Sequence, residues 1–531
     1  MKKSFCFIFI LLALFLDISC SMSSSGGGDA KTDLDWLCLF YMDADDEVLN
    51  DSIYRNMCEL ESVLAYMQND DGSPKEEYPS VKFIVLWDGS NKQSPQIKYS
   101  WPDGALYELG PEPAYTYNPD DNSIYIDNDR FYIGRKTKDL TSTVSDWLPQ
   151  EPDMASEELL TNFLKWSKKT YSAKNTILVF SDHGSGTYKE TYTDTTKWPV
   201  KQSLCIDGSN TGSRAGAELS CKNITNALTA AGYTGSSKIN LLVFDVCFQA
   251  GCEIVNCLSG YADYLLASPN LGYSHFFFLP FKNLKASYTA RELGKNFVSE
   301  YYTIYASSAP ACPVNEDSAH RASGYSLYTQ TLFSLDPAKV SAMRSAVDDL
   351  ASKINALDDT TKKYLFTEYL QQDYELYTAC KGIAYQGSND FLNDAGFFVK
   401  NILADSSLQS HTELINSALK LKEILKHGDD NLIVYAYAGK KGTGEHVGGK
   451  WDSQTSGQWY LTGARDFISG NTVPVENTDD IFGITIVTQD LWDSIDIVEN
   501  YMEYTGFSSE WEKLIKYWDA EIKPKFKPLP G

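Results

Sequence analysis

At 531 residues the chain exceeds one ordinary domain, and typical domain sizes divide it into two to four compact units. A hydrophobic share of 43% and a charged share of 22% are those of a soluble globular protein. The formal net charge of −25 excludes nucleic acid and bare anionic membrane surfaces as partners, because both repel an acidic protein, while basic peptides are left attractive.

The chain opens on a targeting segment. Lys2 and Lys3 precede an apolar run from Phe5 to Leu16, and Ile18 and Ser19 lead into Cys20. A basic start, a short apolar core and small residues before a cut site describe a secretory signal. The run is too short to span a membrane, which needs about 20 residues. Cys20 stands directly after the small residue and before the flexible stretch Ser21 to Gly28, which resembles a bacterial lipoprotein signal with its tether. Residues 1–19 would then be the signal peptide, Cys20 the lipidated residue, and 20–33 a flexible tether. Asp17 departs from the apolar residue usual three positions before such a cysteine. The expected location is the bacterial cell envelope, with the membrane a partner through the lipid anchor; ordinary secretion is the alternative.

Beyond the tether, unbroken apolar runs recur at Trp36 to Met42, Val81 to Trp87, Thr176 to Ser181, Ile239 to Asp245 and Asp263 to Ser268. Runs without alternation predict strands buried on both faces, as in a parallel sheet covered by helices. Leu49, Ile53, Met57, Leu60 and Leu64 follow helical spacing, with Asp43, Asp45 and Asp46 expected at the helix's N-terminal end, where its dipole favours acids. Leu160, Phe163 and Leu164 mark a second helix, and Ser220 is set to cap a third carrying Ile224, Ala227 and Leu228. The alternation predicts an α/β fold, a mostly parallel sheet flanked by helices with right-handed crossovers. Residues from about 90 to 153, rich in Tyr, Pro, Asp and Gly, read as a hairpin-bearing insertion within a catalytic domain spanning 34–309. From 310 to 531 the pattern becomes α+β: helices over Pro337 to Leu357, Asp390 to Leu403 and Thr412 to Lys426, then strands near Asn431 to Tyr437 and Ile481 to Gln489. Asp336 and Pro337 mark the first of these starts.

Two strand ends carry chemistry. One run delivers Asp182-His183-Gly184-Ser185-Gly186, the other Asp245-Val246-Cys247. Ligands bind at the carboxyl ends of parallel strands, so neighbouring strands would bring a thiol and an imidazole together there, the minimal apparatus for covalent acyl transfer. The backbone N–H groups of Gly184 and Cys247 are the expected oxyanion hole, and a helix starting at Cys247 would favour its thiolate. The bland readings are an inert buried thiol and a loop histidine. Asp182 is either a tuner of His183 or a plain turn residue. Eleven cysteines are too sparse and irregular for a disulfide framework. Cys247, Cys252 and Cys257 lie five residues apart, off a common helix face and without the close pairs of zinc sites, so no metal centre is expected.

At these residues the sequence resembles the clostripain-like cysteine peptidases, relatives of caspases and legumains. Their hallmark is an apolar strand ending in His-Gly, here Phe180 to Gly184, and a later one ending in Asp-x-Cys, here Phe244 to Cys247. Trp36 to Leu49, Leu160 to Tyr171, Tyr261 to Ser268 and Gly483 to Ile486 are similar to further family elements. Val246, Phe248 and the stretch Ser268 to Gly272 depart from the family pattern. The resemblance implies a caspase-like fold and an endopeptidase with a His183–Cys247 dyad and no third catalytic residue. It implies protein or peptide substrates cut after Arg or Lys, with Asp245 holding the basic side chain; a carboxylate capping the next helix is the structural alternative for Asp245. It also implies calcium as a cofactor of some members, and self-cleavage between the dyad residues, where Lys197 and Lys201 are the candidate sites. A binding lipoprotein that keeps the peptidase fold without activity is the competing function.

Overall fold

The computed structural model describes residues 32–45, 49–69, 73–89, 103–112, 115–118, 123–126, 134, 136–186, 203–206, 218–269, 278–306, 330–366, 383–385, 392–436, 459–461, 465–466, 471–472, 483–487, 501–502 and 505–521. The signal and tether calls, with Cys20, and the cleavage candidates Lys197 and Lys201 lie outside the described residues.

The N-terminal half runs β1 (Thr32–Ala44), α1 (Asn50–Tyr66), β2 (Val81–Gly89), β3 (Gly104–Glu108), a hairpin of β4 (Tyr115–Asn118) and β5 (Ser123–Ile126), β6 (Lys138–Asp139), α2 (Glu157–Thr170) and β7 (Tyr171–Ser181). Then come β8 (Gly184–Gly186), β9 (Ser203–Ile206), β10 (Glu218–Ser220), α3 (Cys221–Ala230), β11 (Ile239–Asp245), α4 (Cys252–Cys257), β12 (Ala262–Ala267) and α5 (Ala290–Ala306). The C-terminal half adds β13 (Thr331–Ser334), β14 (Ile383–Tyr385), β15 (Leu392–Asp394), β16 (Ile433–Ala436), β17 (Trp459–Leu461), the pair β18 (Arg465–Asp466) and β19 (Asn471–Thr472), and β20 (Thr485–Val487). Its helices include Pro337–Asn355, Ala395–Ala404, Thr412–Ile424 and Ser509–Glu521.

Nine of these strands form one sheet, ordered β16-β13-β12-β11-β7-β1-β2-β3-β6. The five central strands are parallel neighbours, and the outer ones join antiparallel. Alternation along β1 explains why the apolar run is unbroken. Leu37, Leu39 and Tyr41 enter the core on one face, while Trp36, Cys38, Phe40 and Met42 enter the core on the other. On the second face α1 lays down Ile53, Met57 and Leu60, beside Leu293 and Phe297 of α5. The first face carries Leu160, Phe163 and Leu164 of α2 and Ile224 and Leu228 of α3. Burying each such side chain stabilises by about 1.5–3 kcal/mol, before the entropy of ordering is subtracted. The helix starts are marked as expected: Ser156 accepts from Leu159 N, Ser220 and Asn223 form a reciprocal capping box, and Asp336 caps a helix with Pro337 in its first turn.

Two expectations change, and the C-terminal half, expected to pack on the first half or to complete it, does the latter. The segment after β2 is only partly an insertion, because β3 and β6 extend the main sheet and β4–β5 alone stands as a separate hairpin. The C-terminal half completes the main sheet through β13 and β16, and builds its own small sheet β17-β14-β15-β20. Asp43 belongs to β1, opposite Asp88 of β2, rather than to the start of α1. Among the described residues no helix is long and apolar enough to cross a membrane.

Candidate active site

β7 and β11 are hydrogen-bonded parallel neighbours, and their last residues, Ser181 and Asp245, stand opposite each other. His183 and Cys247 each lie two residues further on, so the two leave adjacent strands at the same level of the sheet's carboxyl edge. The chains touch beyond the strands. A Cβ on Gly184 would fall 2.5 Å from the carbonyl oxygen of Cys247 and 3.0 Å from its nitrogen, so only glycine permits this approach. His183 and Cys247 are partly exposed, whereas Ser181, Asp182, Asp245 and Val246 around them are buried. The imidazole and the thiol are therefore the solvent-facing groups at this edge.

The loop after Cys247 is held from three sides. Phe248 has φ +60°, a left-handed conformation that costs a non-glycine residue about 1–3 kcal/mol and persists only under external constraint. The constraint is visible in Ala250, whose N–H donates to Ser268 O at 2.9 Å and whose carbonyl accepts from Thr485 N at 2.8 Å and Thr485 Oγ1 at 3.3 Å. Glu253, fully buried in α4, accepts from Tyr501 Oη at 2.8 Å and from Val487 N at 3.1 Å. Desolvation pushes its pKa up to about 7, against the downward pull of those hydrogen bonds. α4 begins at Cys252 with Gly251 as its cap, so Cys247 is not at a helix start and the expected help from a helix dipole is absent, since that field fades within one turn.

Asp245 does not cap α4. Its Oδ2 accepts from Asn56 Nδ2 of α1 at 3.0 Å and from Ser181 Oγ at 3.1 Å. Burial drives its pKa well above the carboxylate range, more than the Ser181 hydrogen bond lowers it. One turn along α1 from Asn56, Glu59 is also buried, accepts from Phe278 N at 3.1 Å, and is pushed upward by burial, with the charge of Asp245 adding to the rise. Sequence reasoning missed Asn56 and Glu59. The signal was present: Asn56 is a polar residue in helical register with Ile53 and Leu60, on the stripe that faces the sheet.

On the other face of the sheet Asp43, Asp182 and Cys205 bring their ligand atoms within 4.8 Å of one another, the one such metal-competent group among the described residues. Two carboxylates and a thiol do not suit calcium, which takes six to eight oxygen ligands.

The mostly parallel α/β sheet thus places a histidine and a cysteine side by side at one carboxyl edge. The sequence model of the clostripain family matches residues 41–518, and the chain belongs to that family. It is a cysteine peptidase, a hydrolase acting on proteins or peptides. Among solved structures it is similar to an inactive zymogen C11 protease from Parabacteroides distasonis, at 12% identity over 92% of this chain and 99% of that one, with a TM-score of 0.48. It is also similar to a secreted C11 cysteine protease from Bacteroides thetaiotaomicron. With an irreversible peptide inhibitor bound, that protein aligns at 14% identity over 90% of this chain and 98% of its own, TM-score 0.46. A second structure of a secreted C11 cysteine protease from the same organism aligns at 14% over 91% and 99%, TM-score 0.47. No curated protein matches the chain.

Proposed function

We propose that this protein is an exported, lipid-anchored cysteine endopeptidase that uses His183 and Cys247 as a dyad and cleaves after Arg or Lys. The observation that carries the reading is the register of β7 on β11, with Ser181 opposite Asp245 and Gly184 packed on the backbone of Cys247. In this mechanism His183 takes the thiol proton and Cys247 Sγ attacks the scissile carbonyl. The N–H groups of Gly184 and Cys247 receive the oxyanion, each such donor being worth about 3 kcal/mol. His183 then returns the proton to the leaving amine, and water hydrolyses the acyl-enzyme by the reverse sequence.

Asp245 is the specificity carboxylate. Its neighbours Asn56 and Ser181 fix its orientation two residues before the nucleophile. Removing one partner of a buried charge pair costs about 3–5 kcal/mol, so Asp245→Asn should cripple cleavage of basic substrates. The anchor is Cys20, and self-cleavage at Lys197 or Lys201 separates the segments bearing the dyad. A peptide-library profile tests the specificity: cleavage confined to sites after Arg and Lys supports it, and a preference for acidic or apolar residues there contradicts it.

A further inference from the structure

We propose that Asn56 and Glu59 of α1 are specificity-determining residues that, together with Asp245, form the acceptor set receiving the substrate's basic side chain. This rests on the reading of Asp245 as the specificity carboxylate and extends it to a different element of the fold.

Asn56, Glu59 and Asp245 are 1%, 1% and 4% exposed; Asn56 bonds Asp245 at the carboxyl end of β11, and Glu59 follows Asn56 one turn along α1. Asn56 donates one amide N–H to Asp245 Oδ2, and its Oδ1, on the same amide, lies beside that carboxyl with no hydrogen bond to accept. Glu59 uses Oε2 for the Phe278 amide and its Oε1 is likewise without a donor. Among the described residues no lysine or arginine pairs with Asp245 or Glu59.

Buried acceptors without donors are rare in folded proteins, since each forfeits its hydration without return. Asn56 Oδ1 beside the Asp245 carboxyl, and Glu59 Oε1 one helical turn on, describe a place short of hydrogen-bond donors and of positive charge. A lysyl ammonium brings three donors and a guanidinium five, each with a full positive charge. Burial holds both carboxyls above their ordinary values, and the charge of Asp245 adds to the rise at Glu59. A bound cation would reverse that penalty, whereas a neutral side chain would leave it standing. Discrimination against neutral residues then comes from three groups rather than from Asp245 alone.

The test uses the full-length protein and two matched peptides, one with arginine and one with citrulline before the scissile bond, which differ in charge and little in shape. Glu59→Gln keeps an oxygen for the Phe278 amide, and Asn56→Ala removes both the donor and the free oxygen. The expected result is a fall of about tenfold or more in the arginine-to-citrulline ratio of kcat/KM in each variant, expressed mainly in KM. Labelling of Cys247 by iodoacetamide should remain at the wild-type rate. Asp245→Asn is the reference. If Asp245→Asn collapses the ratio while Glu59→Gln leaves it unchanged, this inference is overturned and the role of Asp245 stands. If Asp245→Asn also leaves the ratio unchanged, the underlying specificity reading fails first. Should Asn56→Ala not fold, Glu59→Gln alone decides.

Discussion

Glu253→Gln separates a buried ionisable clamp from ordinary packing. The wild-type carboxyl is expected to titrate near 7 in the folded state, against an ordinary value of 4.5. A raised acid holds its proton more tightly folded than unfolded, so its contribution is most favourable at low pH. Below about 4.5 the group is protonated in both states and costs nothing. As pH rises from 4.5 to 7 the unfolded chain releases the proton and the folded chain does not, and folding loses stability throughout that window. The move from 4.5 to about 7 corresponds to roughly 3 kcal/mol above pH 7. Glutamine keeps an acceptor for Tyr501 and the Val487 amide, and its amide nitrogen occupies the site of Oε2, which accepts no hydrogen bond in the wild type. Any cost of that nitrogen is the same at every pH, so the pH dependence is the quantity to compare. Urea unfolding at pH 5 and pH 8, both proteins in a Cys247→Ala background to prevent self-digestion, should show Glu253→Gln gaining about 2–3 kcal/mol on the parent between the two values. Parallel pH profiles for parent and variant would refute a buried, ionising Glu253.

Gly184→Ala should keep the fold, judged by its melting temperature, while hydrolysis falls about 100-fold, because the new methyl forces the loops bearing His183 and Cys247 apart. Unchanged turnover would mean that this contact does not set the site's geometry. Cys20→Ser should abolish incorporation of a fatty-acid analogue and release the protein from membranes; an unmutated protein recovered soluble, unlabelled and starting downstream of Cys20 contradicts the anchor. Purified wild type should resolve by mass into two associated fragments cut after Lys197 or Lys201, with Cys247→Ala remaining one chain. An active enzyme of intact mass excludes self-cleavage as a requirement.

Much of the framework is legible locally. The five central strands announce themselves as unbroken apolar runs because both faces of each are buried, and β2 and β11 begin at the expected residues. Ser220 and Asp336 cap the helices they were read to cap, since the capping hydrogen bonds span only two or three residues. What escaped is non-local. β3, β6, β13 and β16 join the sheet at its edges through pairings that no local pattern encodes. The stretch Asp390 to Leu403 reads as one helix, yet Leu392–Asp394 is drawn into a strand by β14 and β20 before the helix starts at Ala395. The sequence leaves Asp245 to the site or to a helix cap, because its partner Asn56 lies 189 positions away on α1. Nothing in the sequence marks Glu253, over which β20 and Tyr501, 248 positions on, close. The left-handed turn at Phe248 left no trace in the sequence, because glycine is the residue that would announce it.

The central claim is that Cys247 is a nucleophile activated by His183. The most direct measurement treats the purified protein with a peptide carrying lysine and a thiol-reactive acyloxymethyl ketone, then locates the adduct by mass spectrometry of the digested chain. The account predicts a single adduct on Cys247, formed about 100- to 10,000-fold more slowly in His183→Ala. Labelling shared with Cys257, or equal rates with and without His183, would contradict it.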